Sequence, residues 1–211
     1  MTTDTSRAKL IELLRSSEVI LNGHFKFGQG LHERHGRVYV NPRAIFRDYS
    51  VSIQASQELL AQIDKEIVDQ AEVVAGPVTG GVVLARDLSG LISANRDLRK
   101  PPVKTVFFEK SYDGLYELTR SDERVVEGKN VLLVDDVRHL NRTFAVCINR
   151  LHSAGAKVIA TAEIVDRITK GRLPIVQGEP PNFCVGQLPE MELYTRADCP
   201  MCGQGVPITK F

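Results

Sequence analysis

The chain has 211 residues, 43% hydrophobic and 25% charged, enough apolar material to bury one α/β core with a small appendage. Its 27 basic and 26 acidic residues leave a formal net charge of +1, which removes any long-range reason to expect a nucleic-acid or membrane partner. No apolar run approaches bilayer-spanning length, residues 1–15 lack a secretory layout, and no repeat is visible, so the expectation is a cytoplasmic protein with four reduced cysteines.

Leu10, Ile11, Leu13 and Leu14 predict an opening amphipathic helix. Arg37–Asn41, ending before Pro42, reads as a short strand. Leu59, Leu60, Ile63, Ile67 and Val68 form one apolar stripe and predict a long helix over Ser50–Gln70. Glu72–Gly76 is a buried strand that breaks at Gly76-Pro77, and Gly80-Gly81 opens a helix through Leu91. Lys104–Phe108 is strand-like, and Ser111–Gly128 is polar and loop-like, with a turn at Tyr112–Gly114. Val131–Val134 is the clearest strand, apolar on both faces. Thr143–His152 reads as a helix closed by Gly155, and Lys157–Val165 as another strand. Beyond Arg172, Pro174, Pro180, Pro181, Pro189, Pro200 and Pro207 predict an irregular tail.

Strands alternating with helices predict a doubly wound, mostly parallel sheet. Ligands of such sheets bind beyond the carboxyl ends of the strands, which directs attention to the residues after Ala75, Phe108, Val134 and Val165. The segment Val131-Leu-Leu-Val-Asp-Asp-Val-Arg-His-Leu-Asn-Arg-Thr143 places Asp135 and Asp136 at that edge, followed by a turn and a helix start. Such carboxylates can accept bonds from ribose hydroxyls or hold hydrated Mg²⁺, and N–H groups at a helix start can cradle a phosphate. Two aspartates also end many strands that carry no ligand. A P-loop ATPase is the other rival, but the chain lacks Gly-x-x-x-x-Gly-Lys-Ser/Thr.

This segment resembles the phosphoribosyl-pyrophosphate (PRPP) signature of type I phosphoribosyltransferases, in which the acidic pair contacts ribose and the loop holds the 5′-phosphate. The family writes that loop with threonines and glycines. Here His139, Leu140, Asn141 and Arg142 replace them and only Thr143 is kept. Arg138, His139 and Arg142 offer compensating charge-assisted bonds, and Asn141 tolerates a left-handed backbone.

Three more pieces occur in family order. Ala75-Gly-Pro-Val-Thr-Gly-Gly-Val82 resembles the pyrophosphate loop, which would use Gly76, Pro77, Thr79, Gly80 and Gly81. Phe107-Phe-Glu-Lys110 and the polar stretch to Arg120 resemble the mobile catalytic loop of orotate phosphoribosyltransferases, with Lys110 and Arg120 as its candidate cations. Ile164-Val-Asp-Arg167 resembles the Asp-Arg whose arginine contacts the substrate carboxylate.

Leu21–His32 resembles the hood over the base, which implies base contacts from Phe25, Lys26 and Gln29; Glu33 adds an acid there. Cys199-Pro-Met-Cys202 resembles a subgroup's Cys-Pro-Leu-Cys tail. One Cys-x-x-Cys is half of a structural zinc site, so reduced packing cysteines are the reading adopted and zinc at Cys199 and Cys202 the alternative. The resemblance implies one domain over 1–211, with hood elements in 1–50, a core in 51–170 and a tail in 171–211. It also implies a homodimeric, Mg²⁺-dependent enzyme transferring phosphoribosyl from PRPP to orotate, without nucleic-acid or membrane partners. Another acceptor base, or an inactive nucleotide- or PRPP-binding regulator on the same fold, are the alternatives.

Overall fold

The computed structural model describes residues 14, 18–27, 33–167, 180–188 and 192–210. An antiparallel hairpin of β1 (Ile20–Phe27) and β2 (Arg34–Val40) forms a two-stranded sheet of its own. Its register shifts between Asn22 and Phe25, a β-bulge at Gly23-His24. A 3-10 turn (Pro42–Arg47) leads to α1 (Tyr49–Gln62), where the Asp48 carboxylate accepts the Ser50 N–H at 2.8 Å and caps the helix. α2 (Lys65–Gln70) follows at once. The predicted helix over Ser50–Gln70 is therefore two helices, because Ile63 turns to an extended backbone and Asp64 starts the second.

β3 (Val73–Pro77), α3 (Gly80–Ala94) and β4 (Lys104–Lys110) make the first crossover unit. The stretch predicted as loop holds β5 (Tyr116–Glu117) and α4 (Arg120–Val126), whose Thr119 side chain caps Asp122 N–H. β6 (Asn130–Arg138), α5 (Arg142–Ser153) and β7 (Lys157–Arg167) complete the predicted order. The tail is less irregular than its prolines suggest: β8 (Asn182–Leu188) and α6 (Pro200–Gly203) lie in it. Pro181 precedes β8, so it removes no ladder donor within the strand. Of the predicted opening helix, only Leu14 falls within the described residues, buried in the core.

The main sheet has the order β5-β4-β3-β6-β7-β8, parallel throughout except for the antiparallel β5 at one edge. Alternate residues of β6 feed opposite layers. Val131 and Leu133 pack with Phe144, Ile148 and Leu151 of α5, while Leu132 and Val134 pack with Leu59 of α1 and Leu84 and Leu88 of α3. Both sheet faces are thus covered, as the apolar runs of β6 and β7 require. The chain leaves β3 for β4 on one side and returns to β6 on the other, so the strand order reverses between β3 and β6. That switch point opens a crevice at the strands' carboxyl ends.

Candidate active site

The glycine loop after β3 and the acidic end of β6 meet in this crevice. Gly80 begins α3 with Asp136 pressed against it: a Cβ at Gly80 would lie 1.7 Å from Asp136 Oδ2. Gly76 and Gly81 are equally tight, for a Cβ on Gly76 would lie 2.0 Å from the Gly81 carbonyl oxygen. Glycine is required here for close approach of backbone to backbone and to a carboxylate. The Val78–Thr79 peptide bond is cis. Asp135 Oδ1 accepts the Asp136 N–H at 2.9 Å. Burial, and then the charge of Asp136 beside it, push the Asp135 carboxyl well above the usual carboxylate range. The pair is a concentration of negative oxygen that a cation would relieve.

Asp135 also shares a small hollow with Pro77, Thr143, Phe144 and Cys147, under the start of α5. Burial and the Asp135 charge raise the Cys147 thiol, which leaves it an inert packing group. Asn141 takes φ 64° and ψ 1°, the left-handed conformation its residue type tolerates, and turns the chain into α5. The first N–H groups of a helix have no intrahelical acceptor and suit an anion. Beside them His139, Leu140, Asn141, Arg142 and Thr143 line a hollow of about 200 Å³.

Arg138 does not take the phosphate-facing role expected of it. Its guanidinium is turned into the protein, donating from Nε to Glu163 Oε2 at 3.1 Å and from Nη2 to Thr161 Oγ1 at 2.6 Å and to Asn182 Oδ1. Asn182 Nδ2 in turn donates to Glu163 Oε1 at 2.8 Å. The guanidinium also stacks on Phe144, 4.2 Å to the ring centroid. A buried cation must find such partners, and β7 and β8 supply them. Burial raises Glu163 to about 7, with Arg138 opposing the rise. Arg138 therefore anchors the loop from below, leaving His139 and Arg142 as its candidate phosphate-binding side chains.

A family model described as the phosphoribosyl transferase domain matches residues 47–177, more than half of the chain and the whole span from α1 to β7. The chain belongs to the phosphoribosyltransferase family. It is 31% identical over 204 residues to orotate phosphoribosyltransferase of Thermoanaerobacter sp. (strain X514), covering 97% of this chain and 96% of that one. The solved orotate phosphoribosyltransferase of Aeropyrum pernix superposes with a TM-score of 0.65 at 24% identity, over 85% of this chain and 93% of the other. The Mycobacterium tuberculosis H37Rv orotate phosphoribosyltransferase, solved with PRPP, superposes with a TM-score of 0.58 at 21% identity, over 89% and 92% of the two chains.

Other candidates of this phosphoribosyltransferase fall on both sides of the crevice. Lys110, exposed at the end of β4, lies over Tyr116, 5.3 Å to the ring centroid. Tyr116 was not singled out by sequence; its hydroxyl bonds the Thr143 side chain, and burial, then the charge of Asp135, raise its pKa. Only its place across from α5 reveals it. Arg120 lies elsewhere. It lines a groove with Glu123, Ser153 and Gly155 at the far end of α5, a helix of 12 residues and thus ~18 Å long. The single chain does not bring Arg120 to the acidic pair.

Arg167 ends β7, buried, with its guanidinium 5.1 Å from the centroid of the Phe27 ring of the hood strand β1. Burial pulls its pKa down, yet an arginine keeps its proton, so this is a cation held at the junction of sheet and hood. Phe25 is a correction: it is fully buried and packs on Tyr39 at 5.6 Å, a core residue of the hood with no surface for a base. Lys26 Nζ pairs with Glu33 Oε2 at 3.5 Å. The acid that Glu33 adds is thereby engaged, by Lys26 and by a 3.0 Å bond from His35 Nε2. Gln29 lies outside the described residues. The donor set of Asp135 and Asp136 fits Mg²⁺, which is ordinarily held by one or two carboxylates, waters and substrate phosphates.

Proposed function

We propose that the protein transfers the 5-phosphoribosyl group of PRPP to orotate and releases pyrophosphate. The observation that carries this reading is Asp136 packed onto Gly80 at the switch point, with the start of α5 alongside. One ligand spanning these features needs hydroxyls for the carboxylates and two phosphate groups for two helix starts, 5′ at α5 and pyrophosphate at α3. Asp135 and Asp136 orient the ribose hydroxyls and would hold Mg²⁺ together with the ligand's own oxygens. The bound ion would neutralise charge growing on the departing pyrophosphate. The N–H groups of the Gly76–Gly81 loop take the same charge, and Lys110 approaches from the β4–β5 edge.

Arg167 matches a carboxylated base, since its planar fork suits bidentate pairing. Glu33 adds a negative charge near that base, which would oppose a carboxylate, but Lys26 and His35 engage it. Arg120, remote from its own acidic pair, would act on the crevice of a second copy, which makes the functional unit a homodimer.

The test is pyrophosphate release from PRPP with Mg²⁺, with and without orotate. Release that depends on orotate is expected, together with a fall below about one-thousandth in an Asp135→Asn, Asp136→Asn double variant. Unchanged turnover in that variant would remove the acidic pair from the mechanism. Release driven by another base and not by orotate would move the assignment to that base.

A further inference from the structure

The reading of Cys199 and Cys202 as packing cysteines changes once their neighbours are visible. His24 sits on the β1 bulge and His35 faces it from β2, ring centroids 5.0 Å apart. His24, His35 and Cys199 are each about 2% exposed, and Cys202 closes the group from α6. His24 Nε2 lies 3.6 Å from Cys199 Sγ, 3.7 Å from Cys202 Sγ and 2.8 Å from His35 Nδ1, which is itself 3.3 Å from Cys202 Sγ. All four donor atoms lie within 4.8 Å of one another.

Hydrogen bonds on the far side of each ring define what the near side offers. His24 Nδ1 lies 2.7 Å from the Val206 carbonyl, and His35 Nε2 lies 3.0 Å from Glu33 Oε1. A carbonyl and a carboxylate only accept, so both far nitrogens carry the N–H. In neutral rings the two near nitrogens then present lone pairs to each other, an arrangement that a cation between them would satisfy. Two thiol sulfurs completing the set select a thiophilic one. Tetrahedral zinc with ordinary bond lengths sets N–S edges of ~3.6 Å, close to the 3.3–3.7 Å found here. It sets an N–N edge of ~3.3 Å, to which the two nitrogens, 2.8 Å apart, would have to part slightly. An imidazole whose other nitrogen bonds a carboxylate or carbonyl is also the usual support of a metal ligand.

We propose that His24 Nε2, His35 Nδ1, Cys199 Sγ and Cys202 Sγ hold a structural zinc ion. Four protein ligands in a buried setting leave no open position for substrate, so the role is structural and stands whatever the acceptor base proves to be. The ion joins the tail to the hood. Backbone pairing follows the same seam: His35 and Tyr194 exchange N–H to carbonyl bonds of 2.8 and 2.9 Å, and Thr209 N–H reaches the His24 carbonyl at 2.7 Å. A lone two-stranded hairpin is marginal in water, and a metal clasp is one way to hold it. Because β1 also carries Phe27 over Arg167, the clasp positions the hood over the sheet's end.

The experiment is metal analysis of the untagged full chain, purified under reducing conditions without added metal. We expect about one zinc per chain, lost in a Cys199→Ser, Cys202→Ser double variant and kept in Cys184→Ser. Glu33→Gln should keep the site but weaken retention against a chelator about 10–100-fold. Should the double variant fail to fold, wild type stripped and reloaded with Co²⁺ alone still decides. The expected result is visible absorption of tetrahedral cobalt with a thiolate charge-transfer band. Reduced wild-type protein that carries no zinc and takes up no Co²⁺, or zinc that persists in the double variant, overturns the proposal.

Discussion

Gly80 is the residue on which the crevice turns. Its missing Cβ is the space that Asp136 occupies, so Gly80→Ala must displace either the carboxylate or the start of α3. A shift of that kind in a positioning group costs on the order of a hundredfold in rate, while a single methyl at the first residue of α3 leaves the rest of that helix and the sheet in place. The expected outcome is a fall of about a hundredfold in kcat/KM for PRPP with unchanged circular dichroism. Full activity in that variant would show that Asp136 works from a displaced position. At this scale the sequence was informative where function depends on neighbours along the chain. Gly80, Gly81, Asp135 and Asp136 sit in short motifs whose spacing carries their chemistry. Arg138 follows the same motif, yet its direction depends on Glu163 and Asn182, 25 and 44 residues later, which no local pattern encodes. Phe25 misled for a similar reason, since its partner Tyr39 belongs to another strand.

Among the elements, β6, β7 and β8 are joined by the network of Arg138, Thr161, Glu163 and Asn182. Burial holds Glu163 near 7, against 4.5 for an unburied glutamate. Between those two values the folded protein keeps a proton that the unfolded chain has released. The contribution of Glu163 to stability is therefore complete below pH 4.5 and is lost as pH rises through 7. Glu163→Gln removes the titration at the cost of one acceptor, so its stability relative to wild type should rise by up to about 3 kcal/mol from the acid end of that window to the other. Urea unfolding of both proteins at each end of the window measures this. A constant difference would mean that Arg138 keeps Glu163 ionised throughout. β8 was hidden by the prolines around it, because a strand that begins just after Pro181 looks like irregular tail. The split of α1 from α2 was hidden because Ile63 continues the apolar stripe while its backbone leaves the helix.

At the scale of the molecule, a doubly wound, mostly parallel sheet was readable from alternation, but the contact between the hood and tail was not. His24 and Thr209 are 185 residues apart, and the Cys-x-x-Cys motif shows in sequence only two of the four donors that gather at the seam. The distance of Arg120 from the crevice makes a prediction about assembly. In the proposed homodimer, mixing equal amounts of an Arg120→Ala variant with the Asp135→Asn, Asp136→Asn variant, after dissociation and reassembly, would create mixed dimers with one intact crevice each. Activity should return to about a quarter of wild type, half of the dimers carrying half of their sites. No recovery would confine every catalytic group to its own chain.

The seam between hood and tail also has a consequence for biosynthesis. His24 and His35 leave the ribosome early, whereas Cys199, Cys202 and Thr209 emerge more than 160 residues after His35. The strands from β3 to β7 all precede the tail, so they can assemble while the chain is still being made. The hairpin must wait beside them, without the segment that holds it. The hairpin, made before the sheet, is thus completed after it, and until then Gly23 and Gly36 lack Thr209 and Leu193, which lie over them in the folded chain.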